Sequence, residues 1–349
     1  MLLSKNELER YSRQIVLDAI GLEGQKTLKD SRVGIIGAGG LGCFSSIQLA
    51  AIGVGFLRIF DQDVVDITNL HRQILYDVKS IGVPKVEVAQ KRLVALNPNL
   101  EVEALTLTIN EDTADEAVKG LDLVVDGLDR FSPRYAVNRA CVKQGVPYIF
   151  AGALGTYGNV STIIPGKTAC FECFAGNMGD EGTPTCETVG VLPSILAIIT
   201  GIQVTEALHV LLGREPSLTN KILFCDIFSL TFSKIDIIQR EDCPVCGIES
   251  NQTPRINSST QEVKVVELCG GDSFMASPQH PLQLDLVEVA KILEKHFTVK
   301  LRSDFGVSFS LSSGATMNLM KTGNAVIKGV PKREIAAKLY NQVLTLLDQ

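Results

Sequence analysis

The sequence predicts an α/β fold, a doubly wound, Rossmann-like mixed sheet with a four-cysteine zinc site, followed by a small C-terminal α+β domain. Three observations predict it. A short apolar strand, Arg32–Ile36, runs into the glycine-rich turn Gly37-Ala38-Gly39-Gly40-Leu41-Gly42 and then into a helix. Two matched pairs, Cys170-x-x-Cys173 and Cys243-x-x-Cys246, offer the four soft ligands that a tetrahedral zinc ion needs. After Cys246 the composition shifts to Asn, Ser, Thr and Pro, which marks a linker at 249–261 between residues 1–248 and a module at 262–349.

The elements follow in order. Residues 41–52 are small and apolar and read as a helix, and the strand Phe56–Phe60 after them is closed by Asp61. A βαβ unit of about thirty residues makes a right-handed crossover in a parallel sheet. Lys85–Leu96 is the next helix, stopped by Asn97-Pro98. Strands at 102–107 and 121–126, a helix at 133–143 and a strand at 148–151 continue the alternation. Residues 155–165 are β-rich with no intervening helix, so the sheet turns mixed there. The apolar run 189–204 contains Pro193, Thr200 and Gln203 and leads into Glu206. It is too short and too polar to span a bilayer and reads as a buried helix. Late strands follow at 221–226 and just beyond. The tail carries a helix at 284–295, strands at 298–302, 307–311 and 325–327, and a final helix from Lys332.

Composition narrows the function classes. With 33 basic against 39 acidic residues the formal charge is -6, which gives no electrostatic case for nucleic acid or an anionic membrane. The opening MLLSKNELERYSRQ lacks the apolar core of a signal peptide. Nine cysteines, four of them in CxxC pairs, then point to a reducing compartment, the cytoplasm, and to metal binding in place of disulfides. Four thiolates leave no open position on zinc, so the ion is structural.

The glycine turn alone is generic: Gly37, Gly39, Gly40 and Gly42 let backbone amides approach a phosphate at a helix N-terminus, and Asp61 is placed to bind a ribose. That much suits NAD, FAD or ATP. The next residues separate these. Asp61-Gln62-Asp63 leads to Asn69-Leu70-His71-Arg72-Gln73, and Gly82-Val83-Pro84-Lys85 opens a helix. Arg72 and Lys85 are two cations for a triphosphate whose pyrophosphate must leave, and Asp129, past a strand end, is a hard oxygen ligand for Mg2+. No GxxxxGK[ST] occurs, which excludes a P-loop enzyme. An NAD-dependent, zinc-containing dehydrogenase gives no role to Arg72, Lys85 and Asp129 together. A scaffold that only binds nucleotide would hold ATP without releasing pyrophosphate.

Arg10-Tyr11-Ser12-Arg13-Gln14-Ile15, GAGGLG, Asp61-Gln62-Asp63, NLHRQ, GVPK, the Asp126/Asp129 strand end and the paired CxxC motifs stand in this order over roughly residues 5–247. This set resembles the ThiF/MoeB-type adenylyltransferase family, relatives of the first-step ubiquitin-activating enzymes. The resemblance implies ATP- and Mg2+-dependent adenylation of the C-terminal glycine of a small ubiquitin-fold or sulfur-carrier protein ending in Gly-Gly. It implies that Asp61 binds ribose, that Asn69, Arg72, Gln73 and Lys85 line the phosphates, and that Asp129 takes the metal. Arg13 matches an arginine lent between subunits, which implies a homodimer. One departure is Arg130, where the family usually has asparagine; a second cation there is expected to contact phosphate.

Cys186 lies in a polar, glycine-containing stretch ahead of the apolar helix, whose N-terminus would stabilise a thiolate. In the family this position matches the cysteine that takes the activated carrier as a thioester or acyl-disulfide; an external sulfur donor or a conjugating enzyme is the further partner. The alternative within the family is an activating enzyme of a ubiquitin-like protein-conjugation pathway. Cys43, Cys141 and Cys225 read as core residues and Cys269 is ambiguous. The C-terminal module carries no catalytic constellation.

Overall fold

The computed structural model describes residues 2–180, 182, 185–186, 188–247, 263–268, 272–311 and 314–347. Three N-terminal helices open the chain: α1 (Lys5–Arg10), α2 (Ser12–Ile15) and α3 (Gly21–Asp30). The first is held by a capping box, Ser4 accepting from Glu7 N while the Glu7 side chain accepts from Ser4 N. The alternation follows as β1 (Arg32–Ile36), α4 (Gly40–Ile52), β2 (Phe56–Phe60), α5 (Lys85–Leu96), β3 (Glu101–Leu105), α6 (Ala114–Val118), β4 (Leu123–Asp126) and α7 (Phe131–Gln144). Then come β5 (Tyr148–Leu154), β6 (Tyr157–Ile163), α8 (Phe171–Ala175), α9 (Pro193–Leu211), β7 (Lys221–Asp226) and β8 (Thr231–Asp236).

These strands form one eight-stranded sheet in the order β3-β2-β1-β4-β5-β6-β7-β8. The pairs from β3 to β5 are parallel, and those from β5 to β8 are antiparallel. The sheet is mixed and turns antiparallel where the sequence loses its helices. β1 pairs with β2 on one side and β4 on the other, so the strand order reverses there, and a crevice opens past the carboxyl ends of these strands. The glycine turn lies at that point.

Helix α9 is long and apolar enough to cross a membrane by composition alone. Here it serves as a core helix: Ile195, Leu196, Ile199 and Val204 are buried with Leu41, Leu49, Ile149 and Val160. Its buried polar residues Gln203 and Glu206 are hydrogen-bonded inside. Gln203 Nε2 donates to the carbonyls of Asp126 (2.9 Å) and Ile149 (3.0 Å) and its Oε1 accepts from Ser45, while Glu206 accepts from Ser217 N and Leu218 N. The helix begins four residues later than the apolar run suggests. Residues before it are drawn into a β-bridge between Val191 and Gly155, and Pro193, with its φ preset and no N–H to lose, opens the first turn.

The second unit is an antiparallel sheet. Its elements are β9 (Val263–Leu268), β10 (Ser273–Pro278), α10 (Leu286–Glu294), β11 (Thr298–Arg302), β12 (Gly306–Ser310), β13 (Thr316–Met320), β14 (Ala325–Lys328) and α11 (Arg333–Leu347), with strand order β11-β12-β13-β14-β10-β9. Val289 and Leu293 of α10 and Ala336, Tyr340 and Val343 of α11 share a core with Phe274, Phe309, Met317 and Ile327. The expected linker 249–261 and Cys269 lie outside the described residues.

Candidate active site at the glycine-rich turn

Close packing dictates the glycines. Gly37 has φ +95°, and a Cβ there would sit 2.6 Å from Gly127 O. A Cβ at Gly42 would sit 1.8 Å from Gly37 O, so only glycine lets the first turn of α4 lie against the end of β1. Gly42→Ala is therefore expected to push α4 off the sheet, costing roughly 1–3 kcal/mol of stability and most of the nucleotide affinity; thermal melting together with ATP titration reads both.

Asp61 holds the turn from the end of β2. Its carboxylate accepts from Ala38 N (2.8 Å) and Asp63 N (2.8 Å). Burial pushes its pKa up, against the pull of the Lys85 ammonium. Lys85, first residue of α5 and 5% exposed, donates to Asp63 Oδ2 at 2.9 Å, and its own N–H donates to Asp63 O. Burial alone would lower this lysine, but Asp63 and Asp61 outweigh it and hold the ammonium well above its usual range. Asp63 Oδ1 is buried without a hydrogen-bond partner, as is Oε1 of the buried Gln73, which lies against Gly39. Two orphaned acceptors beside a glycine turn are what a bound group with donors or a metal would satisfy.

Arg72 is half-buried and donates Nη1 to Thr68 O (2.8 Å). Asn69 Oδ1 accepts from Asp66 N (3.1 Å), closing the 3-10 turn Ile67–Asn69. Asp129 is exposed, close enough to Lys85 to raise it and to Cys186 to raise it too. Arg130 donates Nη2 to Glu267 O (3.1 Å) of β9. This ties the residue after Asp129 to the second sheet. Arg13 stands exposed on α2, among the N-terminal helices and not at the strand ends.

Cys186 departs from expectation electrostatically. It lies ahead of Pro193, where α9 begins, and its thiol donates to Ala153 O (3.7 Å). Burial pushes the thiol up, Asp129 adds to this, and Arg72 and Arg134 oppose it. The helix dipole, which fades within one turn, does not make it a ready thiolate.

Three supporting residues carry no sequence signal. Tyr76 donates its hydroxyl to Ala38 O (2.7 Å), tying the Arg72–Gln73 segment to the glycine turn, and the Cys43 thiol donates to the same oxygen (3.3 Å). Arg134 is buried against Asp126 (2.9 Å) and bonds to Leu128 O and Ala151 O, so Asp126 braces the strand end. Cys43, Cys141 and Cys225 are buried, as expected of core residues.

The four paired cysteines converge. Cys170 Sγ lies 3.6 Å from Cys243 Sγ, Cys173 Sγ lies 3.4 Å from Cys246 Sγ, and all four sulfurs fall within 4.8 Å of one another. Sulfurs each about 2.3 Å from a tetrahedral zinc stand about 3.8 Å apart. The cluster fits zinc, with no further donor needed. Hydrogen bonds from Cys170 and Cys246 hold the Cys173 thiol far below its usual range, which favours a thiolate.

Comparison with known proteins identifies the lineage. The ThiF family profile matches residues 11–245. The chain belongs to the ThiF family. The SAMP-activating enzyme E1 of Haloferax volcanii is 38% identical over 246 residues, 70% of this chain and 91% of its own length. The sulfur carrier protein ThiS adenylyltransferase of Bacillus subtilis is 32% identical over 95% of this chain and 98% of its own, so that this likeness reaches through the second sheet. The crystal structure of E. coli MccB with ATP superposes with a TM-score of 0.60 at 26% identity, covering 68% of this chain and 74% of that one. This ThiF-family chain is an enzyme of the class its named relatives share, the adenylyltransferases and activating enzymes.

Proposed function

We propose that the chain adenylates the C-terminal glycine of a small ubiquitin-fold carrier ending in Gly-Gly, taking ATP and releasing pyrophosphate. One observation carries this reading: the glycine turn, the Lys85–Asp63 pair with its orphaned oxygen, Arg72, Asp129 and Cys186 gather at one strand-order reversal. The carrier carboxylate is already ionised and needs no general base. One of its oxygens bonds to the α-phosphorus of ATP while the bond to the bridging oxygen breaks and pyrophosphate departs. Backbone amides of the turn, Arg72 and Lys85 offset the charge that builds up. Asp61 takes the ribose, and Asn69, through its amide nitrogen, and Gln73 line the phosphates. Asp129 and Asp63 would hold Mg2+, which supplies charge neutralisation on the phosphates. Arg13 reaches the ATP of a second copy in a homodimer. The cytoplasm suits an enzyme with unpaired, clustered thiols.

In the second step a sulfur displaces AMP from the acyl carbon, forming a thioester with Cys186 or transferring the acyl group to an external sulfur donor. The relative from H. volcanii, an activating enzyme by name, favours the conjugation reading, in which Cys186 hands the carrier to another enzyme. Because the Cys186 thiol is pushed up, the yield of a Cys186 adduct is expected to climb with pH through and beyond the ordinary thiol range of about 8.5. Intact-mass spectrometry after incubation with Mg-ATP and a Gly-Gly carrier tests the reading. It expects carrier-adenylate, or a thiol-sensitive adduct lost in Cys186→Ala. The absence of both, with carriers of each pathway, overturns it.

A further inference from the structure

The second sheet is seated on the carboxyl ends of β2, β3 and β4, the edge where an open α/β sheet presents its ligand crevice. Thr322 Oγ1 (2.5 Å) and Asn324 Nδ2 (3.1 Å) both donate to Thr106 O, just past β3. The Ser277 and Thr108 hydroxyls meet at 3.3 Å. Val64, between the DQD segment and Lys85, is buried against Met275, Met320 and Val326. Arg130, next to Asp129, bonds to Glu267 O. The contacts therefore fall on the same segments that carry the nucleotide residues, from both sides of the crevice.

One contact reaches further in. Lys328, the last residue of β14, pairs with Asp66 through Oδ2. The other oxygen, Oδ1, accepts from Thr68 N (3.0 Å) and the Thr68 hydroxyl (2.9 Å), and Asp66 N donates to Asn69 Oδ1. Thr68 O in turn accepts from Arg72, and Asn69 O accepts from Gln73 N (2.9 Å). A single carboxylate thus has one oxygen in the second sheet and the other in the turn bearing Asn69, Arg72 and Gln73. Fixing the carboxylate fixes the turn, because neither oxygen moves without the other.

We propose that Lys328 is a positioning residue of the nucleotide site, through which the C-terminal sheet sets, via Asp66, the turn that presents Asn69, Arg72 and Gln73 to ATP. The second sheet is then part of the adenylation machinery, not an appended module. This assignment rests on the adenylation reading. Desolvation acts against ionising Asp66, but Lys328 and Thr68 outweigh it and push its carboxyl down to about 2. The depressed pKa means the pair is complete above the unfolded value of about 3.9 and is lost only as pH falls towards 2. The latch stays closed throughout the pH range in which an ATP enzyme works.

The test uses the full chain with Lys328→Met and Lys328→Arg. ATP–pyrophosphate exchange with a Gly-Gly carrier gives KM and kcat, and equilibrium titration with ATP is run on the same samples without carrier. For Lys328→Met the expected result is a KM and Kd for ATP raised roughly 3- to 30-fold, with kcat changed much less. Lys328→Arg should recover most of the affinity. If Lys328→Met melts earlier yet binds ATP as the wild type does, the pair is only a strut between sheets and the proposal falls. It falls equally if Lys328→Arg binds as poorly as Lys328→Met. Wild-type chain that binds ATP but exchanges no pyrophosphate with any carrier would sink the adenylation reading instead, and the titrations would still decide Lys328.

Discussion

Lys85→Met is expected to lower ATP–pyrophosphate exchange by about 10²–10³-fold, the loss typical of removing one preorganised charge from a site where charge develops. Lys85 is nearly fully buried, starts α5, and donates to Asp63 at 2.9 Å. Losing the ammonium also leaves the Asp61 and Asp63 carboxylates uncompensated; Asp63 is partly exposed, so the cost falls below the roughly 3–5 kcal/mol of a fully buried pair. A drop in exchange by itself would therefore not separate chemistry from folding. The double variant Lys85→Met, Asp63→Asn does so: it removes one orphaned carboxylate, and melting should recover in part. If Lys85 works on phosphate, exchange stays low in the double variant. Recovery of exchange along with stability would show that Lys85 only balances Asp63. The pH dependence has a definite sign. The folded pKa of Lys85 is raised, so its contribution is complete below the unfolded value of about 10.4 and is lost only above that. The affinity for ATP should be insensitive to Lys85 titration from neutral to mildly alkaline pH.

What the sequence could and could not reveal follows from where each kind of information resides. Buried parallel strands announce themselves as continuous apolar runs, and β1, β2 and β4 were legible for that reason. The glycine turn and the two CxxC hooks were legible because their chemistry depends on spacing within a few residues. The N-terminal helices α1 to α3 were not, since they are short, polar and stabilised by caps and by docking. Strands β10 and β13 carry Met, Ser and Asn in place of β-branched residues, and pairing in the sheet overrides that weak propensity. In the site, Asp61, Lys85 and Gln73 come together as their motifs suggest. Asn69 and Arg130 also bond to Asp66 N and Glu267 O, contacts that no motif announces. Tyr76 and Lys328 act through contacts with residues far apart in the chain (Lys328 lies 262 positions from Asp66), which no local pattern encodes, and Arg134 joins the strand end of Asp126 to Ala151 of the next strand. The raised Cys186 thiol is likewise a property of burial, and a polar neighbourhood in sequence said the opposite.

Metal analysis is expected to find ~1 zinc per chain, and Cys243→Ser to lose it along with a large share of the fold's stability. The four sulfurs join two pieces of chain: α8, with Cys170 at its N-cap, and the turn after β8 that carries Cys243 and Cys246. Cys170 and Cys243 share the second core with Phe171, Phe150 and Tyr148, and ring contacts spread from Phe171 to Phe131, Tyr135, Phe150 and Phe174. Freeing the hook thus loosens the layer that backs α7 and β5. Each kcal/mol lost shifts Tm by about 2–4 °C in a domain of this size, and loss of a structural metal removes several, so the midpoint should fall by roughly 10 °C or more. Chelator added to wild type should reproduce the shift. The site's closed donor set makes a second outcome specific: below the lowered midpoint, the variant should still exchange pyrophosphate at close to the wild-type rate per folded molecule, since no sulfur of the cluster faces the glycine turn as a catalytic group. Full stability without metal would mean that four thiols packed within 4.8 Å tolerate one another unaided, and the zinc assignment would fall.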